Sequence, residues 1–464
     1  MIRRRPRIRL RPGPLPRALA LVMGLGLPVT MAQAEDIELT PDQMRAAAWM
    51  ALRAGESAKA LQFSDALIHR DPQDRAALLI HARAARDLGQ YDQAKQSARQ
   101  AWRLSEDDGS KYASSVVMAQ ALSSNGQRTQ AQWWLRRAVQ HAPNEALSRK
   151  AVQDFRYVRL RNPWAAQLSF SVTPDSNINN GSSARYFSID DIPVEFALKG
   201  TSRALSGMEY ALGLNTRYRF AETETRAHDI VFSADVRHYT LSSKAKAIAP
   251  DATGSDFDYA SYSLGYSYRG LNWDDRGEYR LFTDLGQVWY GGEEYLRLYR
   301  IGGGQSYRLA SGDKVGLRIA GEHQDGVTTS DSDILRADLS YTTRVLSGAT
   351  LWTNATLARA SSSYAPDEFD EIGLRAQLTL ARPVMGATVQ FGLWARNRSY
   401  DVSPHSRDGH NDDRVQADFT MIFRKVDYYG FNPTMQISAS RTYSNIALYD
   451  ADRLGINFGI QSAF

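Results

Sequence analysis

Cysteine is absent from this chain. There is therefore no disulfide framework, no thiolate metal site and no cysteine nucleophile. Long apolar runs are also missing beyond Val29, and the mean hydropathy is −0.44. That excludes a helical membrane protein but not a membrane barrel, whose alternating strands average out in any window. An excess of one charge is only apparent. The formal charge is +5, but residues 1–34 hold seven arginines and no acid, so +5 less seven leaves −2 for the remainder. Nucleic-acid binding loses its compositional support, and no nucleic-acid partner is expected.

The arginines (Arg3, Arg4, Arg5, Arg7, Arg9, Arg11 and Arg17) precede an apolar run, Ala18–Val29, and then the small-x-small triplet Ala32-Gln33-Ala34. This order predicts a secretory signal peptide over residues 1–34, cleaved after Ala34. As an anchor the apolar run is too short to span a bilayer.

Residues 35–161 are rich in Ala, Arg, Gln and Leu at helical spacing. Gly55, Gly89 and Gly126 are separated by 34 and 37 residues. Ala60, Ala94 and Ala131 follow five residues after them, and Leu67, Ala101 and Ala138 twelve after. This register resembles the tetratricopeptide repeat, a helix-turn-helix unit of about 34 residues whose paired helices approach closely where side chains are short. The first-helix tryptophan of that repeat is missing from each copy. The three extra residues of the last interval are expected in a loop over Asp107–Lys111. A final helix, Glu145–Arg161, is expected to cap the array.

At Pro163 the period changes from 3.6 to 2. Residues 162–464 divide into fourteen strand-length segments, the first Trp164–Thr173, the twelfth Asp413–Lys425 and the last Arg453–Phe464. Alternation is plain: Leu335, Ala337, Leu339 and Tyr341 oppose Arg336, Asp338 and Ser340. A soluble sandwich would alternate too, but every second connection here is short while 174–206, 242–256 and 399–412 are long. That sorting is the habit of membrane barrels. The predicted fold is a short tetratricopeptide-like solenoid followed by a fourteen-stranded antiparallel transmembrane β-barrel. The barrel is expected in the outer membrane as a monomer, with the solenoid in the periplasm. Phe458, Ile460 and the terminal Phe464 are expected to serve as a barrel-assembly signal.

Two stretches add a resemblance. Pro174-Asp175-Ser176-Asn177-Ile178-Asn179-Asn180 follows the first strand, and Ser444-Asn445-Ile446-Ala447-Leu448-Tyr449-Asp450 precedes the last. Both resemble the barrel domain of the surface lipoprotein assembly modulators (Slam), outer-membrane components of type 11 secretion, although Ala447 stands where proline is expected. The resemblance implies a periplasmic tetratricopeptide domain on a fourteen-stranded barrel. It implies export of a client lipoprotein or soluble binding protein, with outer-membrane lipids and the barrel assembly machinery as further partners. It implies no catalysis and no cofactor. An export porin for polysaccharide, or a passive diffusion porin, are the competing readings.

Asp175, Asn177, Asn179 and Asn180 are turn formers. They suit either a surface loop that satisfies its own backbone or an element folded into the lumen to contact the client. Ser444, Asn445, Tyr449 and Asp450 pose the same choice where first and last strands meet. Arg217, Arg219, Asp235, Arg237, Arg318 and Glu322 fall on the inward parity and are expected to pair across strands. His405, Asp408, His410, Asp412 and Asp413 are read as a solvated outer loop rather than a metal site. Gly302-Gly303-Gly304 lies inside a strand and lacks the Lys-Ser/Thr of a phosphate loop.

Overall fold

The computed structural model describes residues 38–190, 192–424, 426 and 428–462. The predicted leader with its cleavage point at Ala34, and the terminal Phe464, lie outside the described residues. No helix among the described residues is long and apolar enough to cross a membrane.

Seven helices come first: α1 Pro41–Arg53, α2 Ser57–Arg70, α3 Arg75–Asp87, α4 Tyr91–Arg103, α5 Asp108–Ser124, α6 Arg128–Gln140 and α7 Glu145–Arg161. Each packs on the next, and α1, α3 and α5 also touch one another in sequence, the arrangement of a solenoid. The repeat register explains the packing. Ala60, Ala94, Ala131, Ala101 and Ala138 are all wholly buried, so the helix pairs close on methyl groups. Gly55, Gly89 and Gly126 turn each pair with φ of +80°, +78° and +76°. A Cβ at these glycines would meet nothing within 4 Å, so backbone conformation, not space, demands glycine.

One expectation fails here. The extra residues near Asp107 form helix, not loop: the Asp107 side chain accepts from the Ser110 amide at 2.8 Å and starts α5 at Asp108. The insertion lengthens α5 to 17 residues against 13 in α3.

Fourteen strands then close into an antiparallel barrel, with a short hairpin (β2 Tyr186–Ser188, β3 Glu195–Ala197) held in the first long loop. The barrel strands are β1 Trp164–Asp175, β4 Gly207–Glu222, β5 Arg226–Leu241, β6 Tyr259–Asn272, β7 Gly277–Tyr290, β8 Glu293–Arg308 and β9 Lys314–Gly326. They continue as β10 Ser332–Arg344, β11 Thr350–Ser362, β12 Phe369–Thr379, β13 Thr388–Tyr400, β14 His410–Ile422, β15 Phe431–Ser444 and β16 Ala451–Ser462. Neighbours in sequence pair with each other, and β16 closes on β1. Because both ends of the run meet, the sheet keeps no free edge, the condition for backbone in hydrocarbon.

Leu335, Leu339, Leu357, Ile372, Leu374 and Leu393 lie exposed on the outer wall, while Asp229, Ser267 and Glu371 are buried inside. This inverted distribution is that of a membrane barrel. Charges on the inner wall pair as expected: Arg219 with Asp229, Arg237 with Asp235, and Arg300 with Glu322. Gly302 is explained by its neighbour: a Cβ there would meet Phe282 Cζ at 2.5 Å, and the Arg318 guanidinium rests 4.6 Å from the centre of that ring.

The solenoid joins β1 through Asn162–Pro163. Asn162 donates to Thr129 Oγ1 at 3.0 Å and accepts from the Trp164 amide at 3.2 Å, tying α6 to the strand start. At this solenoid end the strands are linked by 223–225, 273–276, 309–313, 345–349, 380–387 and 423–430. The far end carries 176–206, 242–258 and 401–409, although Gly291-Gly292 there is as tight as any turn.

Candidate functional site

The far-end rim at the β1–β16 seam gathers all eight polar residues singled out in the sequence. Asp175 is the last residue of β1, not the loop residue expected, and points inward. Its carboxylate accepts from the Asn177 amide at 2.8 Å, closing an Asx turn. Arg453 of β16 also donates to it, from Nε at 2.7 Å and Nη2 at 2.5 Å, across the seam. Asn177 is fully buried: its amide group exchanges hydrogen bonds with Gly181, and it also donates to the Asp452 carbonyl at 3.2 Å. Asn179 donates to the carbonyls of Thr201 and Arg203 and accepts from the Leu205 amide, so it ties the two ends of the loop together. Asn180 turns the chain with φ +52° and accepts from Arg453 at 3.4 Å.

The second segment is built the same way. Ser444 donates its amide to Asp450 at 2.8 Å, and its hydroxyl accepts from the Ile446 amide. Asn445 accepts from the Asn411 amide and donates to the Gly409 carbonyl, binding the loop to β14. Tyr449 stacks on His410 at 4.0 Å, and His410 stacks on Tyr400 at 4.6 Å. The loops then bond to each other: Ser183 donates to the Asp450 carbonyl at 2.8 Å, and Ser182 to that of Ala447 at 2.7 Å.

These side chains spend their hydrogen bonds on the rim itself. Together they form a clasp over the seam between first and last strands. Loop 176–206 also leans inward: Ile178 and Leu205 pack with Tyr239, a lumen-facing residue of β5, and with Phe257 and Ala245 of the neighbouring loop. In the other direction the loop reaches over β16 and β15. Asp190 accepts there from the Arg407 amide at 2.9 Å and the Ser406 hydroxyl at 3.0 Å, which hold its carboxyl below the usual range.

Sequence reasoning missed Arg453, Ser182 and the Tyr400–His410 pair. Arg453 sits on the inward parity of the last strand, but nothing in the sequence sets the register of that strand against the first. His410 and Asp412 belong to β14, not to a free loop, and bond to each other at 2.7 Å. No group of three or more potential metal ligands occurs among the described residues. Phe458 and Ile460 face outward from β16, Phe458 opposite Val172 of β1.

A second contact lies at the solenoid end. Arg136 of α6 donates to the Ser462 hydroxyl at 3.0 Å and lies over the Phe431 ring at 5.5 Å. The helical domain therefore touches the last two strands as well as leading into the first.

No family model and no curated protein matches this chain. Among solved structures it is similar to the type III secretion translocator chaperone SycD of Yersinia enterocolitica, at 21% identity over 27% of this chain and 97% of that one, TM-score 0.24. It is similar to a bacterial polysaccharide outer membrane secretin, at 10% identity over 64% of this chain and 98% of that one, TM-score 0.34. Pseudomonas aeruginosa OccK7 gives 11% identity over 65% and 99%, TM-score 0.32. The closed sheet, its apolar outer wall and its charged inner wall make this chain an outer-membrane β-barrel with a helical solenoid at one end.

Proposed function

We propose that the protein exports a client protein, a surface lipoprotein or a soluble binding protein, from the periplasm to the cell surface. The observation that carries this reading is the solenoid docked on the base of the barrel by Arg136. A helical solenoid is a surface for holding a polypeptide or its chaperone, and here it stands beside the mouth of a membrane conduit. The Slam-like segments Asp175–Asn180 and Ser444–Asp450 support the reading from sequence, and they lie together at the opposite mouth. In this view the solenoid is periplasmic and receives the client. The monomeric barrel, inserted by the barrel assembly machinery, is the path or platform, and the clasp guards its exit. No bond is made or broken in the client.

Deleting the gene and probing intact cells with antibody to the lipoprotein encoded beside it tests the proposal. Surface signal is expected to vanish while total client is unchanged, and to return with the full chain. Unaltered surface exposure of every candidate client would refute it.

A further inference from the structure

Two carboxylates of the inner wall stand among arginines. Asp229, with a side chain 2% exposed, receives Arg219 at 2.8 Å and Arg269 at 2.7 Å, and Arg217 stands at 4.0 Å. Glu371, 5% exposed, receives Arg398 at 2.5 Å, with Arg396 at 3.7 Å and Arg336 at 3.8 Å. Each carboxylate therefore answers to three guanidiniums. Elsewhere the balance differs: on the inner wall Arg300 faces both Asp284 and Glu322, and on the outer surface Arg359 pairs with Asp370 and Arg441 with Asp452. Three guanidiniums around one carboxylate repel one another, so these two clusters carry more positive charge than pairing alone requires.

Some inner-wall arginines also leave a donor unpaired. The Nε–H groups of Arg217, Arg396 and Arg414 are buried and have no hydrogen-bond acceptor. A buried unsatisfied donor on a charged group is costly, and such groups in native structures have a reason. Two of the three are held in place by one ring: the guanidiniums of Arg396 and Arg414 lie 5.3 and 5.5 Å from the centre of Trp394. Packing on the ring fixes their planes without neutralising them. Arg414 donates from Nη2 only to the neutral Ser440 hydroxyl at 3.2 Å, and Arg396 Nη1 stands 3.7 Å from Glu371, so neither makes a close ion pair. Guanidiniums oriented in this way suit one kind of visitor, a carboxylate.

We infer that the barrel lumen holds, in transit, an acidic polypeptide segment of the client, with Arg396 and Arg414 beside Trp394 as a contact point. This rests on the export reading above. The local surplus of arginine around Asp229 and Glu371 raises the concentration of an acidic segment there, and its effect weakens as salt screens it.

The test uses the purified full chain in lipid nanodiscs and a fluorescein-labelled ten-residue polyglutamate, followed by anisotropy at low salt. The peptide is expected to bind, and ten-residue polylysine is not. The double variant Arg396→Gln/Arg414→Gln is expected to weaken binding at least about tenfold, the scale of one lost charge-assisted contact. Arg396→Lys/Arg414→Lys, which keeps the charge, is expected to retain most of it. Arg359→Gln/Arg441→Gln, on the outer surface, is expected to leave it unchanged. Heat-modifiable gel mobility checks that each barrel is folded. Polylysine binding as tightly, or an equal loss in the outer-surface variant, overturns the inference. So does binding of an oligogalacturonate without binding of polyglutamate, which would assign the lumen to an acidic polysaccharide. Lost selectivity with intact client display removes this inference alone; intact peptide binding in cells that display no client removes the export reading alone.

Discussion

The two regions of this molecule obey one rule in opposite directions. In the solenoid the smallest apolar side chains, Ala60, Ala94 and Ala131, lie at the centre, and arginine and glutamine take the surface. In the barrel the large apolar side chains lie outside and the ions inside: Leu339 is 59% exposed while Asp229 is 1% exposed. Apolar atoms leave water in both cases, but one region is surrounded by water and the other by hydrocarbon. Composition alone cannot separate the two. Period separates them, because a helix hides one stripe and a strand divides its residues between two faces.

The contrast predicts where each region breaks. Asp229→Ala leaves Arg219 and Arg269 facing each other with no carboxylate between them. The expected cost is about 3 kcal/mol, the low end for a broken buried pair because the arginines are part-exposed. The urea midpoint of the heat-modifiable band reads it, and the helical signal of the solenoid should not move. Leu339→Arg places a charge on the apolar outer wall, at about 2–4 kcal/mol of folding into a bilayer near its midplane. If instead the variant folds into vesicles as well as the parent, the outer wall does not face hydrocarbon. Ala94→Leu is the reverse experiment. A larger apolar residue, harmless on the barrel wall, overpacks the helix contact by about 1–3 kcal/mol. Thermal melting at 222 nm should then show the helices unfolding earlier while the barrel band keeps its mobility.

Much of the fold was legible. The repeat glycines marked the turns between helices, the small residues after them predicted the helix contacts, and alternation with sorted connections predicted fourteen strands. The errors share physical causes. The insertion near Asp107 looked like a loop because Asp, Asp and Gly are turn formers, yet Asp107 is as good a helix cap as a turn residue. His410 and Asp412 looked like loop because the strand runs past the apolar belt, where its outward face (Asn411, Asp413) turns polar and alternation fades. The candidate site was legible only in halves. Both segments read as polar turns, but Asp175 and Arg453 are far apart in sequence and meet only because the barrel closes. Closure register is a property of every strand between them, so no local pattern carries it.

The contact of Arg136 with Ser462 and Phe431 has a consequence for how the molecule is made. The helices come off the ribosome first, whereas the groups they hold belong to the final hairpin. The docked arrangement therefore cannot exist in a truncated chain or in a sheet still open at its last strand. Arg136 thus links the first-made domain to the last-made strand by a bond that forms only once that strand is in place.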